Sequence, residues 1–234
     1  MLDELLADAR RDDLSVTVYT ADLDPDVVDQ ISIHGVAVDH RRLPTGATPF
    51  VTMHDAGEFM GALPLEDFEA LLAPSVAAPG SRLDVATGYQ ELLGLLEDTA
   101  FTSLDRRQLL GTSREIEDRA FRVGDGTLRV SFQSLSAFEN QTEVYHHLAG
   151  NTDLDIHVYG EADWTPPAID GITYHETDDD TVDRFWVVAF DGGNERGQAC
   201  ALVARAEDDD YTGFWTYDPK TVDGVLAALE TVDG

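Results

Sequence analysis

The chain has 234 residues, 46 acidic and 15 basic, for a formal net charge of −31; this length admits one large domain or two small ones, each with a sizeable core. Aspartate accounts for 31 of the acidic residues and Lys220 is the only lysine, the composition of a halophilic cytosolic protein, whose self-repulsion molar salt quenches by shrinking the Debye length to roughly 3 Å. The charge argues against direct nucleic-acid binding, which needs a Lys/Arg footprint; a single cysteine, Cys200, excludes a disulfide framework or thiolate cluster; and with no apolar run near the ~18 residues of a membrane span and no signal peptide before Val16, a soluble cytoplasmic protein is expected.

Leu2, Leu5, Leu6 and Ala9 make a short amphipathic helix, and Ser15 to Thr20 a strand. Asp24-Pro25 opens a helix that runs through His34 and stops at Gly35; Val36 to His40 is a second strand. Thr48 to Met53 is a third, Asp55-Ala56-Gly57 a hairpin turn, Glu58 to Gly61 a fourth strand and Pro64 to Leu72 a closing helix. This β-α-β-β-β-α order resembles the glutaredoxin-like branch of the thioredoxin fold. In that family a Cys-x-x-Cys follows the first strand and the proline equivalent to Pro49 is cis. Here the stretch is Ala21-Asp22-Leu23-Asp24-Pro25, so thiol–disulfide chemistry is excluded and the resemblance implies a redox-dead scaffold.

Ala73 to Ser81 is small, proline-rich and uncharged, and reads as a linker. Tyr89, Leu92, Leu93 and Leu96 then have helical spacing, which suits a connecting or dimerising helix over residues 84–100. The expected organisation is a small α/β domain over 1–73, a linker and helix over 74–100, and a second α/β domain, a mixed sheet flanked by helices, over 101–234.

Thr112-Ser113-Arg114-Glu115 has capping-box form and predicts a helix to about Arg122, ended by Gly124 and Gly126. Ile116, Ala120 and Phe121 define its inward face, and Ser113 and Glu117 fall in the same arc. A carboxylate there needs a partner: either Glu117 and Ser113 bind a ligand or orient an arginine such as Arg184 or Arg205, or they form an internal pair locking helix to sheet. Leu128 to Gln133 is a strand, Asn140 to Gly150 a helix with Val144, Tyr145 and Leu148 inward, and Asp155 to Gly160 a strand, a unit that implies a parallel pair with a right-handed crossover.

After a short strand at Ile172 to His175 come Arg184 to Phe190, Gln198 to Ala204 and Tyr211 to Tyr217, a three-strand meander closed by a helix. Alternation sets Phe214 and Thr216 on one face of the last strand and Trp215 and Tyr217 on the other; Asp218-Pro219 caps the final helix. Trp186, Trp215 and Tyr217 are either plain core or the lining of a pocket for a flat ligand.

The stretches Thr112 to Asp118, Phe132-Gln133, Tyr145 to Ala149, Val158 to Gly160, Phe185 to Val188, Ala201 to Arg205 and Gly213 to Pro219 together resemble the DICT domain over roughly residues 101–232. The resemblance implies a sensory module of diguanylate cyclases and two-component systems, and it transfers no catalytic residue, ligand or cofactor. No kinase, cyclase or DNA-binding output segment is read in this chain, so output is expected to act through a separate regulatory protein, with a small-molecule ligand or a homodimer as further possibilities. The candidate ligand residues are Ser113, Glu117, Trp186, Trp215 and Tyr217. The competing expectations are a metal-assisted enzyme using Glu117 and a histidine, and a dimeric adaptor using the 84–100 helix. His146-His147 point about 100° apart on a helix, which disfavours a shared metal; His157 and His175 on neighbouring strands lack an evident third ligand. Asp191-Gly192-Gly193-Asn194 reads as a hairpin turn rather than a phosphate loop.

Overall fold

The computed structural model describes residues 1–8, 14–22, 24, 25, 28, 37–72, 100–104, 106–177, 179–207 and 210–233. Alternation buries Val16 and Val18 along β1 (Leu14–Thr20), which pairs in parallel with β2 (Ala37–Arg42). On its other side β1 meets β3 (Phe50–Asp55), itself hairpinned to β4 (Glu58–Pro64), so the order is β2-β1-β3-β4. Ala56 and Gly57 turn that hairpin at φ 48° and 82°, the left-handed pair a two-residue turn with the right twist requires. Helix α2 (Leu65–Leu72) closes the unit by burying Phe68 against Val51 and Met53. The cis proline that the glutaredoxin resemblance implies at Pro49 is not found, since no described peptide bond is cis. Most of the helix expected over Pro25 to His34, the Ala73 to Ser81 linker and the helix carrying Tyr89, Leu92, Leu93 and Leu96 lie outside the described residues.

The second sheet has seven strands in the order β5-β11-β10-β9-β6-β7-β8. Its meander β9 (Phe185–Phe190), β10 (Cys200–Glu207) and β11 (Asp210–Thr216) is antiparallel, as the sequence predicts. Strand β6 (Asp125–Ser134) pairs antiparallel with β9 and parallel with β7 (Asp153–Glu161), which pairs in parallel with β8 (Ile172–Glu176). The β6–β7 crossover runs through α4 (Leu135–Phe138), a 3-10 turn at Glu139–Gln141 and α5 (Thr142–Asn151), whose Tyr145 and Leu148 point inward while His146 and His147 stay exposed. Strand β5 (Ala100–Leu104), which sequence reading missed, adds to the outer edge of β11.

Both faces of this sheet are covered. One carries α3 (Arg106–Val123), α4 and α5 over Val130, Phe132, Trp186, Val188, Leu202 and Trp215. The other carries α6 (Asp180–Arg184), α7 (Pro219–Glu230) and α1 (Leu2–Asp8) over Phe185, Val187, Val203 and Phe214. Asp218 caps α7 as expected, its carboxylate accepting from the Thr221 amide at 2.9 Å. The helix expected to start at Thr112 starts at Arg106 instead: Leu109, fully buried, continues the apolar period ahead of the capping-box pattern, which therefore lies mid-helix.

A buried charged helix as the candidate functional site

Helix α3 crosses β6, β9, β10 and β11, and every residue from Gly111 to Ala120 on it is buried. Five of these are charged: Arg114, Glu115, Glu117, Asp118 and Arg119. Over this stretch the helix has no solvent face, and each buried charge is costly unless it is compensated.

Ser113 and Trp186 meet directly. The indole Nε1 donates to Ser113 Oγ at 3.1 Å, and that hydroxyl donates in turn to the Leu109 carbonyl at 3.0 Å, so a buried indole N–H is satisfied by the helix above it. Trp186 is edge-on to Phe132 at 5.3 Å and to Tyr211 at 6.1 Å, and Arg106 lies over its ring. Phe132, Tyr211 and Arg106 thus pack around Trp186, and its single hydrogen bond leaves no space between serine and tryptophan.

Glu117 is fully buried in an adjoining network. Tyr145 donates its hydroxyl to Oε1 at 2.7 Å; Arg114 grips Oε2 with one terminal nitrogen and Gln141 Oε1 with the other. Burial pushes the Glu117 carboxyl above its ordinary value, against the Arg114 charge and the hydrogen bonds from Tyr145 and Arg114. Burial, reinforced by the Glu117 charge, lifts Tyr145 well above the usual phenol range. The arginine that holds Glu117 is therefore Arg114, not Arg184 or Arg205, which both reach Asp3 of α1 on the opposite face of the sheet. A second cluster follows one turn on, where Arg122 pairs with Asp118 and, at 3.6 Å, with Glu115.

Trp215 is 5% exposed on the same sheet face as Trp186, with β10 between them: Trp186 registers with Ala204 and Trp215 with Leu202. Tyr217, half-buried just past β11, lies 4.3 Å beneath the Arg119 guanidinium. The five candidate residues thus divide between the Ser113–Trp186 contact, the Glu117 network, and Trp215 and Tyr217 at the end of the aromatic strand. Sequence reading missed Arg114, Gln141 and Arg119. Arg114 stands three residues before Glu117, a helical pairing distance, whereas Gln141 and Arg119 gave no sequence signal.

The histidines resolve differently. His157 and His175 lie ring to ring with nitrogens 2.9 Å apart, and Asp155 reaches His157 at 3.1 Å. No group of three or more His, Cys, Asp or Glu side chains among the described residues is arranged to hold a metal. Asp191 Oδ1 accepts from the Thr127 and Gly193 amides at 3.0 and 2.8 Å, tying the Asp191–Asn194 loop to the start of β6. Clefts open to solvent among the described residues include one of about 370 Å³ lined by His146, Ala149, Gly150, Ala168, Ile169 and Asp170 and one of about 230 Å³ between Pro49, Pro64 and Glu66. No helix among the described residues is long and apolar enough to cross a membrane.

Sheet, helices and network define a mixed α/β module whose polar centre is carried on one enclosed helix. The chain belongs to the DICT family, a sensory domain in diguanylate cyclases and two-component systems, whose model matches residues 89–207. The match begins earlier than the resemblance at 101 and ends before the Gly213 to Pro219 stretch, so Trp215 and Tyr217 lie outside it. No curated protein matches the chain. Among solved structures, a polyphosphate kinase from Porphyromonas gingivalis is similar at 11% identity with a TM-score of 0.39, over 98% of this chain and 47% of that one. The chain thus spans about half the length of that enzyme.

Proposed function

We propose that the protein is a non-catalytic, cytoplasmic sensory module that binds a small ligand or a regulatory partner at the Trp215–Tyr217 end of the aromatic strand and relays occupancy through α3. The observation that carries this reading is the burial of five charged residues on one helix, four of them paired into two networks, one of which reaches the crossover helix α5. Such networks hold discrete arrangements rather than a continuum, because a partly broken one leaves a buried charge unpaired. An element of that kind can be biased between two positions by binding at one end. Family membership supports the sensory role. In this reading Ser113, Glu117 and Trp186 are positioning residues that hold α3 against the sheet. The amino-terminal sheet, of strand order β2-β1-β3-β4 and without cysteine, serves as a redox-inactive thioredoxin-like scaffold.

Native mass spectrometry of the full chain in a volatile salt at high concentration, together with capture of partners from its own high-salt cytosol, tests the proposal. A bound small molecule or a defined complex is the expected result. An empty monomer that captures nothing removes the reading.

A further inference from the structure

Arg119 differs from the other buried arginine on α3. Arg114 has its carboxylate and its amide, and the less buried Arg122 has two carboxylates. Arg119 is only 9% exposed, yet no carboxylate lies within ion-pair distance among the described residues, and its Nε is fully buried without a hydrogen-bond acceptor. A chain with 46 carboxylates has no shortage of internal partners, so an uncompensated guanidinium in its interior is a cost that something outside the chain can offset.

The geometry defines what that something is. The Tyr217 ring lies 4.3 Å from the guanidinium carbon of Arg119 and shields that side of the cation from water. The guanidinium fork carries parallel N–H groups spaced for two oxygens of one anion, and here its Nε–H stands without an acceptor among the described residues. Glu115, one turn earlier on α3, pairs with Arg122 at 3.6 Å and makes no ion pair with Arg119. Burial pushes the Cys200 thiol up to about 12 against the Arg119 and Arg122 charges, so it stays un-ionised and supplies no counter-charge.

We propose that Arg119, backed by Tyr217, is a binding site for the oxyanion of a small molecule, a carboxylate or a phosphate. This rests on the reading that the Tyr217 end of the aromatic strand is the sensing end, and it gives the ligand its chemical class. An anion there supplies the charge that Arg119 lacks and couples directly to α3.

The test uses the full chain at fixed high ionic strength in potassium chloride, with chloride replaced stepwise by inorganic phosphate in one arm and by acetate in the other, and the melting temperature read by circular dichroism. The expected result is a saturable rise in one arm, reaching roughly 5–10 °C when the anion is at a hundred times its dissociation constant. The arm that responds identifies the anion. The rise is lost in Arg119→Met and kept in Arg196→Gln, which removes an exposed arginine paired with Asp223. If Arg119→Met does not fold, Arg119→Lys decides: it retains the charge but not the fork, and its saturation point moves at least tenfold higher. A wild-type response that tracks ionic strength alone, or one that survives unchanged in the Arg119 variants, overturns the proposal. Saturable binding without any ligand or partner in the native preparation keeps the site and removes the sensory reading; a captured partner with no anion response does the reverse.

Discussion

The Arg114–Glu117 pair permits a thermodynamic cycle whose outcome distinguishes a tightly coupled network from incidental contacts. Glu117→Leu leaves the Arg114 guanidinium, buried with 7% of its side chain exposed, holding only Gln141, and it strands the buried Tyr145 hydroxyl. Removing one partner of a buried pair costs about 3–5 kcal/mol. For a chain of this size that lowers the melting temperature by about 6–20 °C. Arg114→Met alone has a cost of the same order, since the buried carboxyl keeps only Tyr145. The double variant Arg114→Met/Glu117→Leu removes both charges and fills their space with carbon, so its cost falls well below the sum, with a coupling of at least about 2 kcal/mol. Urea unfolding at constant salt measures all four corners. Single variants each costing under about 1 kcal/mol, or a double variant that merely adds them, would refute the coupling. A pH arm supplies a sign. Because burial raises the Glu117 pKa, the folded chain keeps that proton where the unfolded chain has lost it. The group's contribution is therefore full below the ordinary glutamate pKa and declines as pH rises through the raised value; Glu117→Gln abolishes the decline.

Three further outcomes follow from single contacts. Ser113→Ala deprives the buried Trp186 indole of its acceptor, costs about 1–3 kcal/mol and alters tryptophan emission, while the same change made in a Trp186→Phe background costs clearly less; equal costs in both backgrounds refute the hydrogen bond's role. Asp218→Ala removes the α7 cap at a cost of about 1 kcal/mol. The side-chain and backbone hydrogen bonds from Thr221 lower the Asp218 pKa, so the cap's contribution is present above the ordinary aspartate pKa and disappears as pH falls through the lowered value; Asp218→Ala should accordingly show no deficit in strong acid. Burial raises the Cys200 thiol to about 12, so a disulfide reagent at neutral pH labels it only at the rate at which the chain opens, and immediate labelling of the native protein contradicts that burial.

The strands of the meander and the cap of α7 were legible because their signals are local. Period-two alternation separates Phe214 from Trp215, and an Asp-Pro pair starts a helix whatever surrounds it. The start of α3 was misread for the same locality: a capping-box spacing at Thr112 and Glu115 looks alike at a helix end and in a helix interior, and only the burial of Leu109 settles which it is. Strand β5 escaped notice because its partner β11 lies about a hundred residues further along the chain. Asp3 found Arg184 and Arg205 across still longer separations, 181 and 202 residues.

Residue pattern alone determined the mixed α/β class, the meander, the parallel crossover, the family and the inward arc shared by Ser113 and Glu117. Whether that arc belonged to an ordinary amphipathic helix or to one enclosed on every side was decided by the folded chain. A run of charges such as Arg114 to Arg119 is written identically for solvent and for interior; which it meets depends on elements that arrive from elsewhere in sequence, here α5 with Tyr145, the turn with Gln141 and the strand end with Tyr217. Pairing distance and desolvation exist only after those elements close over the helix.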